Sequence, residues 1–171
     1  MYENFGLLIG GRWQSASDRK IISVVSPVTE QHIGTIPAAT RDDIERTLVT
    51  CQQAGLEWRK TSAWSRAAIL RHTADLIRSR IEEIAKIMST ETGKPLVEAK
   101  AEAGASADQF EWYSEEGKRA YGQIIPSRLT DERLSVVYQP VGPCLALSAW
   151  NFPLLLPARK IAAGLAAGCP V

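Results

Sequence analysis

The sequence predicts an α/β fold that is truncated after its first strand–turn–helix unit, and two observations predict it. An apolar run at residues 144–150 is typical of a parallel strand that is buried on both faces. The run leads through Asn151-Phe152-Pro153 into a predicted helix that ends at Gly168. A parallel strand needs neighbours to pair its backbone groups, and the partner strand is expected to begin near Val171. We therefore expect this chain to be one part of a larger sheet.

Short strands and turns are predicted for the first forty residues. Residues 7–9 precede Gly10-Gly11, and residues 21–25 are closed by Ser26-Pro27. Residues 33–36 form a third, weaker strand pattern. These segments predict short strands that are separated by turns.

Three helices are predicted between these strands and residue 120. The first begins at Thr40, with Asp43 in the capping-box position and an apolar face formed by Ile44, Leu48 and Cys51. The second is predicted from apolar residues spaced three and four apart, and Gly93-Lys94-Pro95 ends it. Its stripe consists of Leu70, Ala74, Ile77, Ile81, Ile84 and Met88.

The third helix is predicted from about Pro95 to about Arg119, with Pro95 at its first position. Its small residues predict close packing against a neighbouring helix, whereas its glutamates are predicted to form a solvated face. The small residues are Ala99, Ala103, Gly104 and Ala107, and the glutamates are Glu98, Glu102 and Glu116.

A hairpin is predicted after the third helix. Residues 124–126 and 134–138 flank the polar segment 130–133, and Pro126 confines its strand to an edge or a strand end. A hairpin in this position is expected to pair with another segment, either of this chain or of another chain.

The composition excludes several classes of protein. Hydrophobic residues make up 45% and charged residues 23% of the 171 residues, which argues against a disordered chain. The formal net charge is +1 with the two signs intermixed, so neither a nucleic-acid partner nor a polybasic membrane anchor is expected. The first five residues show no secretory signal, and prolines and charges interrupt the apolar residues 145–171, which argues against a membrane span.

Cysteine and histidine content argues against a metal site. The chain has three cysteines without a Cys-x-x-Cys pair and only two histidines. We therefore expect no metal and no disulfide framework, and a cytoplasmic location fits best. The chain also lacks a G-x-G-x-x-G sequence, the usual dinucleotide-binding fingerprint.

Residues 139–153 resemble the aldehyde dehydrogenase superfamily, through Pro140-Val141-Gly142, the apolar run and Trp150-Asn151-Phe152-Pro153. The resemblance extends over essentially the whole chain, and the pair Arg159-Lys160 is most similar to the succinate-semialdehyde dehydrogenase branch. Further matching segments are Gly10-Gly11-Arg12-Trp13, Ser26-Pro27, Trp58, Arg66, Glu91-Thr92-Gly93-Lys94-Pro95 and Leu165-Ala166-Ala167-Gly168.

The resemblance implies a division of the chain into three parts. Residues 1–120 would be strands and helices of a Rossmann-type cofactor-binding domain, and residues 121–140 a protruding β-hairpin arm for oligomerisation. Residues 141–171 would be the first strand and helix of the Rossmann-type sheet, with the catalytic domain absent. A homodimer or homotetramer is the implied assembly.

The resemblance also implies roles for individual residues. In the family a cysteine thiolate attacks the aldehyde, hydride passes to NAD or NADP, and water releases the acid. Asn151 would be the catalytic oxyanion donor, and Ser148, Ala149 and Trp150 would line the cofactor cleft together with Asn151 and Arg159. Arg159 would also contact the carboxylate of the substrate. From the residues alone, Asn151 is equally a candidate helix N-cap and Arg159 a surface side chain.

Two departures from the family pattern limit what this chain can do alone. The catalytic cysteine and the general-base glutamate of the family lie downstream of the position of Val171, and neither Cys144 nor Cys169 matches the nucleophile. The isolated chain is therefore expected to be inactive. The alternative function is a catalytically inactive, truncated paralogue that acts as an assembly or regulatory subunit, and an acylating or phosphorylating semialdehyde dehydrogenase is a weaker third hypothesis.

Overall fold

Five α-helices and six short strands form the elements of the computed structural model, which describes residues 5–171. Residues 1–4, on which the prediction of no secretory signal also depends, lie outside this part. The strands are β1 (Leu7–Ile9), β2 (Arg12–Gln14), β3 (Ile21–Val25), β4 (His32–Pro37), β5 (Gln123–Pro126) and β6 (Arg133–Val136). The helices are α1 (Arg41–Trp58), α2 (Ala63–Ser79), α3 (Ile81–Thr92), α4 (Leu96–Glu116) and α5 (Leu155–Ala166).

The strands form three separate antiparallel hairpins, β1–β2, β3–β4 and β5–β6. Gly10 and Gly11 turn the first hairpin with φ values of 60° and 74°, a conformation that glycine adopts without steric cost. The register of the last hairpin pairs Gln123 with Val136 and Pro126 with Arg133. The predicted strands at residues 7–9, 21–25 and 33–36 and the predicted hairpin after the third helix are all present.

The predicted capping box at the start of α1 is confirmed. The Thr40 side chain accepts a hydrogen bond from the Asp43 N–H, at 3.2 Å, and an Asp43 carboxylate oxygen accepts one from the Thr40 N–H, at 2.9 Å. The same carboxylate oxygen also accepts a hydrogen bond from the Ser17 N–H, at 3.1 Å, which ties α1 to the loop before β3. The predicted apolar face is only partly used, because Ile44 and Leu48 are both about half exposed.

Acid should destabilise the contact between α1 and the loop before β3, because this contact depends on the Asp43 carboxylate. Hydrogen bonds from Thr40, Ser17 and Arg46 hold the pKa of the Asp43 carboxyl well below its ordinary value of 3.8, so the ionised form favours folding. This stabilisation is complete above the ordinary pKa and is lost as the pH falls through the lowered pKa of the folded state. In thermal melts between about pH 6 and about pH 2, we expect Asp43→Asn to melt lower than the parent chain near neutral pH and to lose less stability on acidification. The exposed neighbour variant Asp42→Asn is the control, and equal acid sensitivity of the Asp43→Asn and parent chains would contradict this account.

The prediction of one continuous second helix is wrong, because the structure divides this segment into α2 and α3 at Arg80. Arg80 has φ −118° and ψ 17°, outside the helical region, and it ends one helix and begins the next. The bend allows both halves to pack on α4: Leu70 and Ala74 of α2 contact one part of it, and Ala85 and Met88 of α3 lie in a second cluster with Ala99. The predicted end of the helix is confirmed, because Gly93 is left-handed with φ 75°.

The core lies where α2, α4 and α5 meet. It is built mainly from alanines, which allow the helix backbones to approach closely. The predicted third helix is confirmed: it is α4, and a 3-10 turn, Gly117–Arg119, follows it. Pro95 is the N-cap of α4 rather than its first residue. The buried cluster consists of Leu70, Ala74, Ala107, Phe110, Ala158, Ala162 and Ala166.

Two side chains hold the carboxyl end of α5 against α1 and α2. The Trp58 indole N–H donates to the Leu165 carbonyl at 3.1 Å, and the Arg66 Nε donates to the Ala166 carbonyl at 3.1 Å. The Leu165 carbonyl also accepts a hydrogen bond from the Gly168 N–H, at 3.1 Å. The Arg66 bond satisfies the Ala166 carbonyl, one of the last carbonyls of the helix, which have no partner within it. Trp58 and Arg66 therefore fix the position of α5.

The predicted buried strand at residues 144–150 does not form. The segment is not paired into a sheet, and Leu145 and Leu147 are 83% and 74% exposed. A strand requires a neighbour for its backbone groups, and no other strand of residues 5–171 adjoins this segment. At its start, the Cys144 N–H donates a hydrogen bond to the Pro170 carbonyl at 2.8 Å. The helix that the sequence predicted after this segment is present and begins at Leu155.

Candidate functional site

The predicted cofactor-binding residues Ser148, Ala149 and Trp150 line an open cleft with a volume of about 570 Å³. The remaining wall comes from Pro153, β3, the turn after β3 and the end of α3. These lining residues are Val24, Val25, Pro27, Glu91 and Thr92. The cleft therefore lies at the carboxyl end of the segment that the sequence predicted as a strand, where α/β folds place their ligands.

The backbone of this segment is available to a ligand. Among residues 5–171, the backbone N–H and C=O groups of Ser148 and Ala149 make no hydrogen bond. The Trp150 side chain is 81% exposed. These observations fit residues that hold a nucleotide with main-chain atoms.

Asn151 combines a fixed backbone with a side chain that has no partner. Its carbonyl oxygen accepts a hydrogen bond from the Lys94 ammonium at 2.9 Å. Its side chain is exposed, and within the described part of the chain the amide makes no hydrogen bond. The N-cap of α5 is Leu154, so Asn151 does not serve as a helix cap. The amide is thus free to donate to a bound molecule.

Glu102 is a functional candidate that sequence reasoning assigned wrongly. It was predicted to be solvated, but its side chain is only 1% exposed and forms an ion pair with Lys94. One carboxylate oxygen accepts hydrogen bonds from the N–H groups of Leu154 and Leu155, at 2.9 and 3.1 Å, at the start of α5. A carboxylate in this position satisfies orphan donors and complements the helix dipole.

Lys94 connects Glu102 with Asn151. Its ammonium contacts Glu102, the Asn151 carbonyl and the ring of Phe152, whose centroid is 4.1 Å away. The lysine side chain is 12% exposed, so these contacts replace most of its water.

The structure does not bring Arg159 to the cleft. Arg159 lies on α5 with an exposed side chain, and it is absent from the cleft lining. Within residues 5–171 its guanidinium makes no ion pair and no hydrogen bond. Ser148, Ala149 and Trp150 therefore line the cleft together. Asn151 directly follows them in the chain without lining it, and Arg159 stands apart with its charge available.

Two of the cysteines, Cys51 and Cys144, are not activated as nucleophiles. Burial raises the pKa of the Cys144 thiol above its ordinary value, and the neighbouring Cys169 raises it further. Burial also raises the pKa of Cys51. Cys51 and Cys144 therefore remain thiols at neutral pH. The described residues contain no cluster of three or more potential metal ligands, and none of their helices is long and apolar enough to cross a bilayer.

The chain belongs to the aldehyde dehydrogenase family, whose sequence pattern matches residues 13–171. It is 41% identical over 165 residues to the 4-(hydroxymethyl)benzenesulfonate dehydrogenase TsaD1 of Comamonas testosteroni, covering 96% of this chain and 35% of that one. It is 39% identical to the succinate-semialdehyde dehydrogenase GabD of Escherichia coli strain K12, whose name specifies NADP, covering 95% of this chain and 34% of that one.

A solved structure confirms the fold class. The crystal structure of succinate-semialdehyde dehydrogenase from Burkholderia pseudomallei superimposes with a TM-score of 0.95 and is 41% identical, covering 97% of this chain and 34% of that one. The resemblance to the superfamily that the sequence predicted is thereby confirmed. The chain spans about a third of the length of the relatives that it matches.

Proposed function

We propose that this chain provides the cofactor cleft and the oxyanion donor of an NAD(P)-dependent aldehyde dehydrogenase. The reaction would oxidise an aldehyde to the carboxylic acid through a cysteine thiohemiacetal and thioester, with that cysteine outside these 171 residues. The observation that carries the proposal is the Asn151 amide, which is exposed and uncommitted beside the cleft while its own carbonyl is fixed. Such a preorganised donor stabilises the negative charge that develops on the aldehyde oxygen.

NAD or NADP is the proposed cofactor, and it would supply the acceptor for the hydride. The unpaired backbone groups of Ser148 and Ala149 and the exposed Trp150 side chain fit a dinucleotide held largely by main-chain contacts. The cleft volume of about 570 Å³ is within the usual range for small-ligand sites. The predicted cofactor contact of Asn151 stays a proposal, whereas Arg159, which is absent from the lining of this cleft, is proposed as a substrate contact.

A semialdehyde is the proposed substrate class, with succinate semialdehyde favoured. The unpaired guanidinium of Arg159 supports this proposal, because it offers paired donors that match a carboxylate. The names of GabD and of the Burkholderia pseudomallei enzyme add support, since both are succinate-semialdehyde dehydrogenases.

Arg159→Met should therefore raise KM for succinate semialdehyde in the complete enzyme and leave KM for butanal unchanged. A lost charge-assisted pair of this kind is worth about 1.5–3 kcal/mol, or about a 10- to 150-fold change in KM. Lys160→Met is the matched control, because Lys160 is the adjacent exposed cation on α5. An equal effect of Arg159→Met on both aldehydes would contradict the carboxylate assignment.

The activity itself is tested by nicotinamide absorbance with succinate semialdehyde. We expect NAD(P)H formation by the complete enzyme that contains this chain and none by residues 1–171 alone, because the proposed nucleophile and general base lie elsewhere. Absence of turnover by the complete enzyme with every aldehyde offered would count against the proposal.

Assembly through the β5–β6 hairpin is a second proposed function, compatible with the first or with an inactive paralogue. The hairpin presents apolar side chains to solvent, with Ile124 78% exposed and Tyr138, just after β6, 67% exposed. An exposed apolar surface of this kind marks an interaction site, and we propose a cytoplasmic homodimer or homotetramer. Light scattering after size exclusion tests this, and Ile124→Lys should produce a monomer; an unchanged mass would contradict the role of the hairpin.

A further inference from the structure

We propose that Lys94 and Glu102 are positioning residues that hold Asn151 in place for catalysis. This inference rests on the proposed function, because it concerns the residue that would donate to the aldehyde oxygen. It adds a role for a buried ion pair that neither lines the cleft nor touches the reacting atoms.

The pair contacts almost every residue of the turn that carries Asn151. Lys94 binds the carbonyl of Asn151 and lies over the ring of Phe152, and Glu102 binds the N–H groups of Leu154 and Leu155. Pro153 is the one remaining residue of the turn, and proline has no N–H to bind. Residues 151–155 are thus fixed by the same two side chains.

The ion pair also connects this turn to the rigid part of the fold. Glu102 lies on α4 beside the buried residues Ala99 and Ala103, and Lys94 lies in the short connection between α3 and α4. Residues 147–150, just before Asn151, are by contrast exposed and pair with no strand of the described residues. The position of Asn151 therefore depends on contacts that come from α4 and from Lys94 rather than from the preceding chain.

Loss of Lys94 should impair the Asn151 donor without removing it. A buried carboxylate without its partner is costly, so Glu102 would turn toward water and release the start of α5. A displacement of about 1 Å in a catalytic group can lower the rate by about 100-fold. We expect Lys94→Met to lower kcat by about 10- to 100-fold and to change KM for aldehyde and cofactor by less than about threefold.

A double-mutant cycle in the complete enzyme separates positioning from a merely structural role. If Lys94 acts through Asn151, Lys94→Met lowers kcat in the parent enzyme but leaves it within about twofold when Asn151 is already alanine. Lys100→Met is the matched control, because Lys100 is an ion-paired lysine on α4, the helix of Glu102, and it contacts Glu82 instead of the turn. It should leave kcat unchanged in both backgrounds.

Two results would overturn the inference, and they differ from each other. An equal fall in kcat on Lys94→Met in both backgrounds would show a structural role and leave the proposed function intact. An unchanged kcat on Asn151→Ala alone would overturn the proposed function and the positioning role together.

Glu102→Gln is the second variant if Lys94→Met does not fold, as judged by its thermal melt. It keeps an oxygen for the Leu154 and Leu155 N–H groups but removes the charge that holds Lys94. The same cycle should show the same background dependence, and an effect independent of Asn151 would again overturn the inference.

Discussion

Replacing Asn151 with alanine in the complete enzyme should lower kcat by about 100- to 1,000-fold, the usual cost of one oxyanion-hole donor. The affinity for NAD(P) should change far less, because the backbone of residues 148–150, rather than the amide, forms the proposed cofactor contact. Steady-state kinetics with succinate semialdehyde and cofactor titration by fluorescence measure the two quantities separately.

The fold offers an internal control for this variant. The Asn151 side chain is exposed and makes no hydrogen bond within residues 5–171, so its removal should leave the melting temperature unchanged. A loss of activity with an unchanged melt would isolate the chemical effect. If kcat stayed within about twofold of the parent value, the oxyanion assignment would be wrong.

Leu70→Ala should destabilise the chain by about 2–5 kcal/mol, the range for removing a buried leucine from a packed core. Leu70 is 1% exposed and is among the largest fully buried side chains of the described residues. The surrounding cluster is rich in alanine, so few long side chains can move into the space. Urea unfolding of the 171-residue chain, followed by circular dichroism, measures the change in the free energy of unfolding.

Leu76→Ala is the matched control, because Leu76 lies on the same helix and is 48% exposed. Its cost should be clearly smaller. Equal costs for the two leucines would contradict the placement of the core between α2, α4 and α5.

Local signals were sufficient for most of the fold. The capping box of Thr40 and Asp43 and the left-handed Gly93 act within a few residues, and the structure has both where the sequence placed them. The break at Arg80 could not be predicted, since neither glycine nor proline marks it and the cause is packing on α4. The prediction of a strand at residues 144–150 was wrong for a related reason. The apolar pattern is present, but strand pairing depends on neighbouring strands that residues 5–171 do not supply.

The site was predictable only in part. The proposed role of Asn151 came from a family resemblance, because an asparagine before Phe-Pro otherwise indicates a helix cap. Glu102 was misplaced, although its spacing from Ala99 and Ser106 put it on the buried stripe of α4. That spacing was a usable signal, whereas the contact between Lys94 and Asn151 spans 57 positions and becomes visible only in three dimensions.

A crystal structure of the complete enzyme soaked with succinate semialdehyde tests the central claim most directly. The account predicts that the Asn151 amide nitrogen lies about 2.7–3.1 Å from the oxygen derived from the aldehyde, with the Asn151 carbonyl still bound by Lys94. An amide that points away from this oxygen, or an aldehyde bound outside the cleft, would contradict it.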